Sequence, residues 1–178
     1  MKSSLLFLVL FVGISCTGKE TLNIHLPSDS ITTVDSVSLD SLWQDLVFNK
    51  GGCLTGGQRA NDGRFGGEGC VLTENRRVDW RPFFSHPKEE LRDFLIEQFA
   101  DTSTSRIHTC PFMSASGGEV AVYCLTKIYL INWYDFDPFI EYQDREITSS
   151  MDSEQSWLRA ILEDPKRREV LIEEWRKL

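Results

Sequence analysis

Apolar side chains recur at helical spacing along several stretches of this chain, and the clearest runs from Val120 to Ile128. Val120, Ala121, Cys124, Leu125 and Ile128 share one face of a 3.6-residue period, while Val122, Tyr123, Tyr129 and Ile131 add apolar surface to the others. A helix that is apolar on nearly every side must be covered on every side, so this one is expected at the centre of the core. Ser116-Gly117-Gly118-Glu119 has the form of a capping box and sets its start. The surrounding stretch, His108 to Phe136, organises the rest of the chain.

Other amphipathic segments flank it. Leu39, Leu42, Trp43, Leu46 and Val47 form a helical stripe opened by Ser38 or Asp40 and stopped by Gly51-Gly52. Ser85 is expected to cap a second helix, with Pro87 in its first turn and Leu91, Phe94, Leu95 and Phe99 on its apolar face. Ser153 to Leu162 carries Trp157, Leu158, Ile161 and Leu162. Asp164-Pro165 then reads as an N-cap with a first-turn proline, opening a last helix with Val170, Leu171 and Trp175. So short a junction favours a helical hairpin. Thr102 to Arg106 reads as a polar loop, and no strand pair is evident. The expected fold is mainly α, a single compact helical domain over residues 38–178.

Residues 51–69 interrupt this pattern with eight of the chain's twelve glycines. Such density excludes a long regular element and implies a loop with left-handed backbone positions. Neither phosphate-loop nor dinucleotide glycine spacing occurs there. The loop is flanked by Cys53 and Cys70, with Cys110 and Cys124 further on. In an oxidising compartment an even set of cysteines reads as disulfides. Cys53–Cys70 and Cys110–Cys124 close the shortest loops, although cross-pairing serves equally well on sequence grounds. A disulfide-stapled glycine-rich loop is therefore part of the expected fold.

The compartment is suggested by the N-terminus. Lys2 precedes the apolar run Leu5 to Val12, followed by Gly13-Ile14-Ser15-Cys16. A basic residue, a short apolar core and small residues before a cut make a secretory signal over residues 1–15. Small residues directly followed by cysteine resemble the lipobox of bacterial lipoproteins. That resemblance implies cleavage before Cys16, lipidation of its thiol and acylation of the new N-terminus, and several acyl chains anchor a protein stably. Residues 16–37, rich in Ser and Thr, read as a lipidated, flexible tether. The implied location is the bacterial cell envelope, facing the periplasm or the cell surface, with the membrane reached through the lipid.

Charge narrows the partners. The chain has 178 residues and a net charge of −8, which gives no basic field for nucleic acid. The local cluster Lys166-Arg167-Arg168 is offset by Glu163, Asp164, Glu169, Glu173 and Glu174. A protein partner in the envelope is the expectation.

Few residues offer chemistry. Ser85-His86-Pro87-Lys88 matches the Ser-x-x-Lys pattern of penicillin-interacting enzymes, but the companion motifs are missing and a helix cap accounts for Ser85. His108 with the cysteines matches no zinc-module spacing, so neither metal nor cofactor is expected. The segment Trp133-Tyr134-Asp135-Phe136-Asp137, continuing to Phe139, Glu141 and Tyr142, interleaves aromatic rings with carboxylates. Rings beside acids bind sugars, and a carboxylate pair can hydrolyse them. The same rings can instead fill the core and leave the acids in solvent. Trp133, Tyr134, Asp135, Phe136, Asp137 and Glu141 are the candidate binding surface.

The succession of an amphipathic helix over 86–100, a short loop and an apolar helix opening Gly118-Glu119-Val120-Ala121 resembles one unit of the HEAT-like helical repeats. That resemblance covers under a third of the chain, lacks a second copy, and implies protein–protein contact rather than catalysis. A lipid-anchored interaction module is thus the leading functional expectation. A small glycan-binding or glycan-processing lipoprotein using residues 133–144 is the alternative.

Overall fold

The computed structural model describes residues 37–54, 78–109, 113–149 and 152–178, all within one compact unit, Ser36–Leu178. Residues 1–36, which hold the expected signal and Cys16, lie outside the described residues, as do Cys70, Cys110 and most of the glycine-rich loop. Helices dominate, and a small sheet joins them.

Helix α1 (Leu39–Trp43) starts where the Ser38 hydroxyl accepts the Ser41 amide, then runs on as a π-helical stretch, Gln44–Lys50. Gly51 ends it with φ 66°, a left-handed conformation suited to glycine. A side chain at Gly51 would also collide with the Arg106 backbone, because the chain passes directly against that neighbour. Strand β1 (Gly52–Leu54) follows. After the short helix α2 (Arg81–Phe84), helix α3 (Lys88–Glu97) tightens into a 3₁₀ turn at Gln98–Ala100.

Strands β2 (Thr104–Thr109) and β3 (Met113–Ser116) then pair antiparallel, with β1 parallel to β2 on its other side. This sheet corrects the expected loop over Thr102–Arg106. Strand β2 does alternate, burying Ser105, Ile107 and Thr109 while exposing Thr104, Arg106 and His108. Two of those three inward residues are hydroxyl-bearing, so hydrophobicity alone does not register the period of two. Their polarity is satisfied in place: the Ser105 hydroxyl donates to the Ala115 carbonyl at 2.7 Å and the Thr109 hydroxyl to the Met113 carbonyl at 3.0 Å.

Helix α4 (Gly117–Tyr129) is the centre of the unit, as its apolar pattern predicts. Residues Gly117 to Thr126 are all buried, and α4 packs against α3, the 3₁₀ turn, both β2 and β3, and helix α5 (Glu154–Glu163). Helix α6 (Pro165–Arg176) follows α5 at once and covers α3 as well, which makes α5 and α6 the expected hairpin. Asp164 caps α6 by accepting the Lys166 and Arg167 amides, and Ser153 caps α5. Helices α3 and α4 are joined through a β-hairpin rather than a short turn.

Among the described residues the core holds three aromatic clusters. Trp43, Phe83 and Phe94 meet at 5.8–6.0 Å near α1 and α3, with Trp80 edge-on to Phe83. Trp133 lies against Tyr134, Phe139 and Tyr142, and Tyr142 against Trp157. Trp175, fully buried, receives Tyr129 and Phe136.

Two expectations about caps and staples are corrected. Ser85 does not open α3; it ends α2, where its hydroxyl donates to the Pro82 carbonyl at 2.7 Å, and Pro87 occupies the N-cap position of α3. Proline at 87 lacks an N–H, so the first turn of α3 needs one partner fewer. Cys124 is a free, fully buried thiol in the middle of α4, so it forms no staple with Cys110. Burial in an apolar environment also pushes its pKa far up, because the thiolate would be desolvated. Among the described residues there is no disulfide, and a stapled glycine-rich loop has no structural support.

Candidate functional site

The aromatic–acidic segment divides by chemistry. It forms two 3₁₀ turns, Trp133–Asp135 and Asp137–Tyr142, with Pro138 in the first turn of the second. Trp133, Tyr134, Phe139 and Tyr142 are buried and Phe136 is half-buried on Trp175, so these rings belong to the core and not to a surface. A sugar would have no ring face to stack on. The acids stay outside: Asp135, Asp137, Glu141 and Asp144 are exposed, together with Ile140 and Ile147.

Asp135 has a structural duty, since its carboxylate accepts from the Asn132 backbone and side chain at 2.8 and 2.9 Å. Glu141 pairs loosely with Arg167 at 3.7 Å. Two guanidinium groups cover the buried rings, Arg167 over Tyr142 and Phe139, Arg145 over Trp157 and Tyr142. Arg145 also reaches Asp152. These cations hold the segment to α5 and α6.

A second site was not legible as one. Glu119, the fully buried third residue of α4, accepts the Ser116 amide at 2.6 Å and completes the capping box when the Ser116 hydroxyl accepts its own amide at 3.2 Å. The same carboxylate binds Arg159 of α5 in a two-point pair: Nε to Oε1 at 3.2 Å and Nη2 to Oε2 at 2.8 Å. Nη2 also donates to the Ser114 carbonyl at 3.0 Å. Hydrogen bonding to Glu119 raises the Arg159 pKa above its already high value, so the guanidinium is charged at any working pH.

Two glycines bring the strand-side loop to this pair. Gly117 donates its amide to the Ser103 carbonyl and Gly118 to the Asp101 carbonyl, at 3.0 and 2.9 Å. A side chain at Gly117 would strike the Asp101 carboxylate, and one at Gly118 the Phe99 carbonyl.

The result is a cleft of about 160 Å³ beside Arg159. Arg159, Asp101 and Glu163 give it charge, and Phe99 and Leu162 its apolar part. Hydroxyls come from Thr102, Thr104, Ser114 and Ser116. Tyr123, one turn after Glu119, is buried with a hydroxyl that has no partner among the described residues. Burial drives its pKa well up and the carboxylates of Glu119 and Glu154 add to this, so the phenol is neutral.

Sequence reasoning saw Glu119 as a cap but not its pairing with Arg159, forty residues away and set in an ordinary amphipathic helix. The remaining sequence candidates do not converge. His108 is exposed on β2, with its Nδ1 3.4 Å from the Ser114 hydroxyl, and His86 pairs with Glu90 at 3.6 Å. The Lys88 ammonium sits over the Tyr129 ring at 3.7 Å, away from Ser85 chemistry. No group of His, Cys, Asp and Glu among the described residues is arranged to hold a metal ion. No helix among them is long and apolar enough to cross a membrane. No family model matches the chain, and no curated protein or solved structure is significantly similar to it.

Proposed function

We propose that this chain is a lipid-anchored protein of the bacterial envelope whose folded unit docks a protein partner through the exposed edge spanning residues 135–147. The observation that carries the reading is the division of that segment. Its large rings are fixed in the core, so the backbone is held, while Asp135, Asp137, Glu141 and Asp144 remain exposed beside Ile140 and Ile147. Apolar side chains rimmed by acids, on a rigid base, suit a partner with a basic and apolar surface. The −8 net charge favours the same kind of partner over nucleic acid. The membrane half of the proposal rests on the lipobox-like Gly13-Ile14-Ser15-Cys16 and the polar residues after it.

Photo-crosslinkers at positions 140 and 147, with controls at 170 and 178, test the docking edge in intact cells. All four native side chains are exposed apolar residues, so the controls match in chemistry. A crosslinked protein product of one defined mass, formed from 140 and 147 alone and lost in high salt, is expected. Equal products from all four positions would overturn the assignment. Intact-mass measurement after detergent extraction tests the anchor, with acyl chains on an N-terminal Cys16 expected and an unmodified soluble product refuting it.

A further inference from the structure

We propose that the cleft beside Arg159 is a binding site for a small α-amino-acid zwitterion. Arg159 carries five N–H donors, of which Nε–H and both on Nη2 are engaged with Glu119 and the Ser114 carbonyl. The two donors on Nη1 have no partner among the described residues. The guanidinium is held in place by a fully buried carboxylate that is itself fixed by the α4 capping box, so its open edge is preorganised. That edge suits a carboxylate.

The opposite charge is also provided. Arg159 faces Glu163 as well as its partner Glu119, so with Asp101 the carboxylates around the cleft outnumber its one cation. Asp101, a half-buried carboxylate, accepts the Ser103 amide on Oδ1 at 2.8 Å and sets Oδ2 against Gly117, and Glu163 is exposed. A simple anion would meet two carboxylates and be repelled; a simple cation would leave the open guanidinium edge unused. A zwitterion satisfies both, with Thr102 and Thr104 able to donate to its carboxylate or accept from its ammonium. The volume of about 160 Å³ and the contribution of Phe99 and Leu162 limit the ligand to a short, partly apolar side chain. This site is separate from the docking edge, and neither depends on the other.

The test uses the full chain in detergent, screened by thermal shift against the proteinogenic α-amino acids at about 10 mM, a concentration at which even weak ligands raise the melting temperature. The best binder is then measured by calorimetry beside its N-acetyl derivative and its methyl ester. One or more small amino acids are expected to bind, and each derivative is expected to be at least about tenfold weaker, because each removes one charge-assisted contact. Asp101→Asn and Glu163→Gln are expected to weaken binding by a similar factor with an unchanged melting temperature of the free protein. No response to any amino acid would overturn the proposal. So would an ester that binds as tightly as its parent, an N-acetyl derivative that does, or unchanged affinity in both variants.

Discussion

Glu119 and Asp135 do the same local job in very different surroundings. Each is the third residue of a helical turn, and each carboxylate reaches back to the N-cap residue's amide, Ser116 in one case and Asn132 in the other. Asp135 does so in water, helped by the Asn132 and Gln143 side chains. Glu119 does so with no solvent exposure, and there the cap is not sufficient. A carboxylate taken out of water needs a counter-charge as well as hydrogen bonds, and Arg159 supplies it from another helix. The same motif is a local signal in one place and a tertiary link between α4 and α5 in the other.

The difference can be broken most forcefully at the arginine. Arg159→Ala leaves Glu119 charged and unpaired in the core and is expected to cost about 3–5 kcal/mol in urea-unfolding experiments. A loss below about 1 kcal/mol, the range of surface ion pairs, would mean that Glu119 is hydrated and not buried. The close seating of α4 on the loop before β2 is probed by Gly118→Ala, whose new methyl meets the Phe99 carbonyl. Forcing that contact is expected to cost about 1–3 kcal/mol, seen as a lower urea midpoint at constant m. At the exposed box, Asp135→Ala removes the cap and a long contact to Gln143 and is expected to cost about 1 kcal/mol. Should it match Arg159→Ala, the contrast between the two boxes fails. Smallest of all, Tyr123→Phe deletes a buried hydroxyl with no hydrogen-bond partner among the described residues, so stability is expected to stay within about 1 kcal/mol and to rise if it changes.

How much of this was readable from residue order follows from the range of each interaction. The capping box at Ser116, the N-cap and proline of α6, and the all-round burial of α4 depend on neighbours within a few positions, and the pattern reports them directly. Strand β2 was hidden because Ser105 and Thr109 point inward with hydroxyls that find carbonyl partners, whereas a hydrophobicity period assumes apolar inward positions. Ser85 misled for a related reason: Pro87 can begin α3 without it, and its hydroxyl had an equally good acceptor behind it at Pro82. Pairing Cys124 follows from the compartment's chemistry, but the thiol is free and fully buried inside the apolar packing around α4, where it serves as a small apolar side chain.

The candidate sites divide along the same line. Of the candidate binding surface, the acids at 135, 137 and 141 are exposed, while the adjoining rings at 133 and 134 are buried. The pattern places alternating rings and acids but does not say which way a pair of 3₁₀ turns rotates them. The Arg159 cleft could not be anticipated, since its parts come from the end of α3, from β2 and β3, and from α5. A buried glutamate at the third position of an apolar helix is the one local hint that a distant cation must exist.

The buried thiol of Cys124 makes the molecule its own stopwatch. Alkylating reagents attack the thiolate, and here both burial and the raised pKa withhold it until α4 loses its cover. Because α4 is enclosed by helices and strands from several parts of the chain, that exposure requires the unit to come apart rather than fray. The pace at which a peptide containing Cys124 becomes labelled, read by mass, would therefore time the breathing of the whole core without any introduced probe.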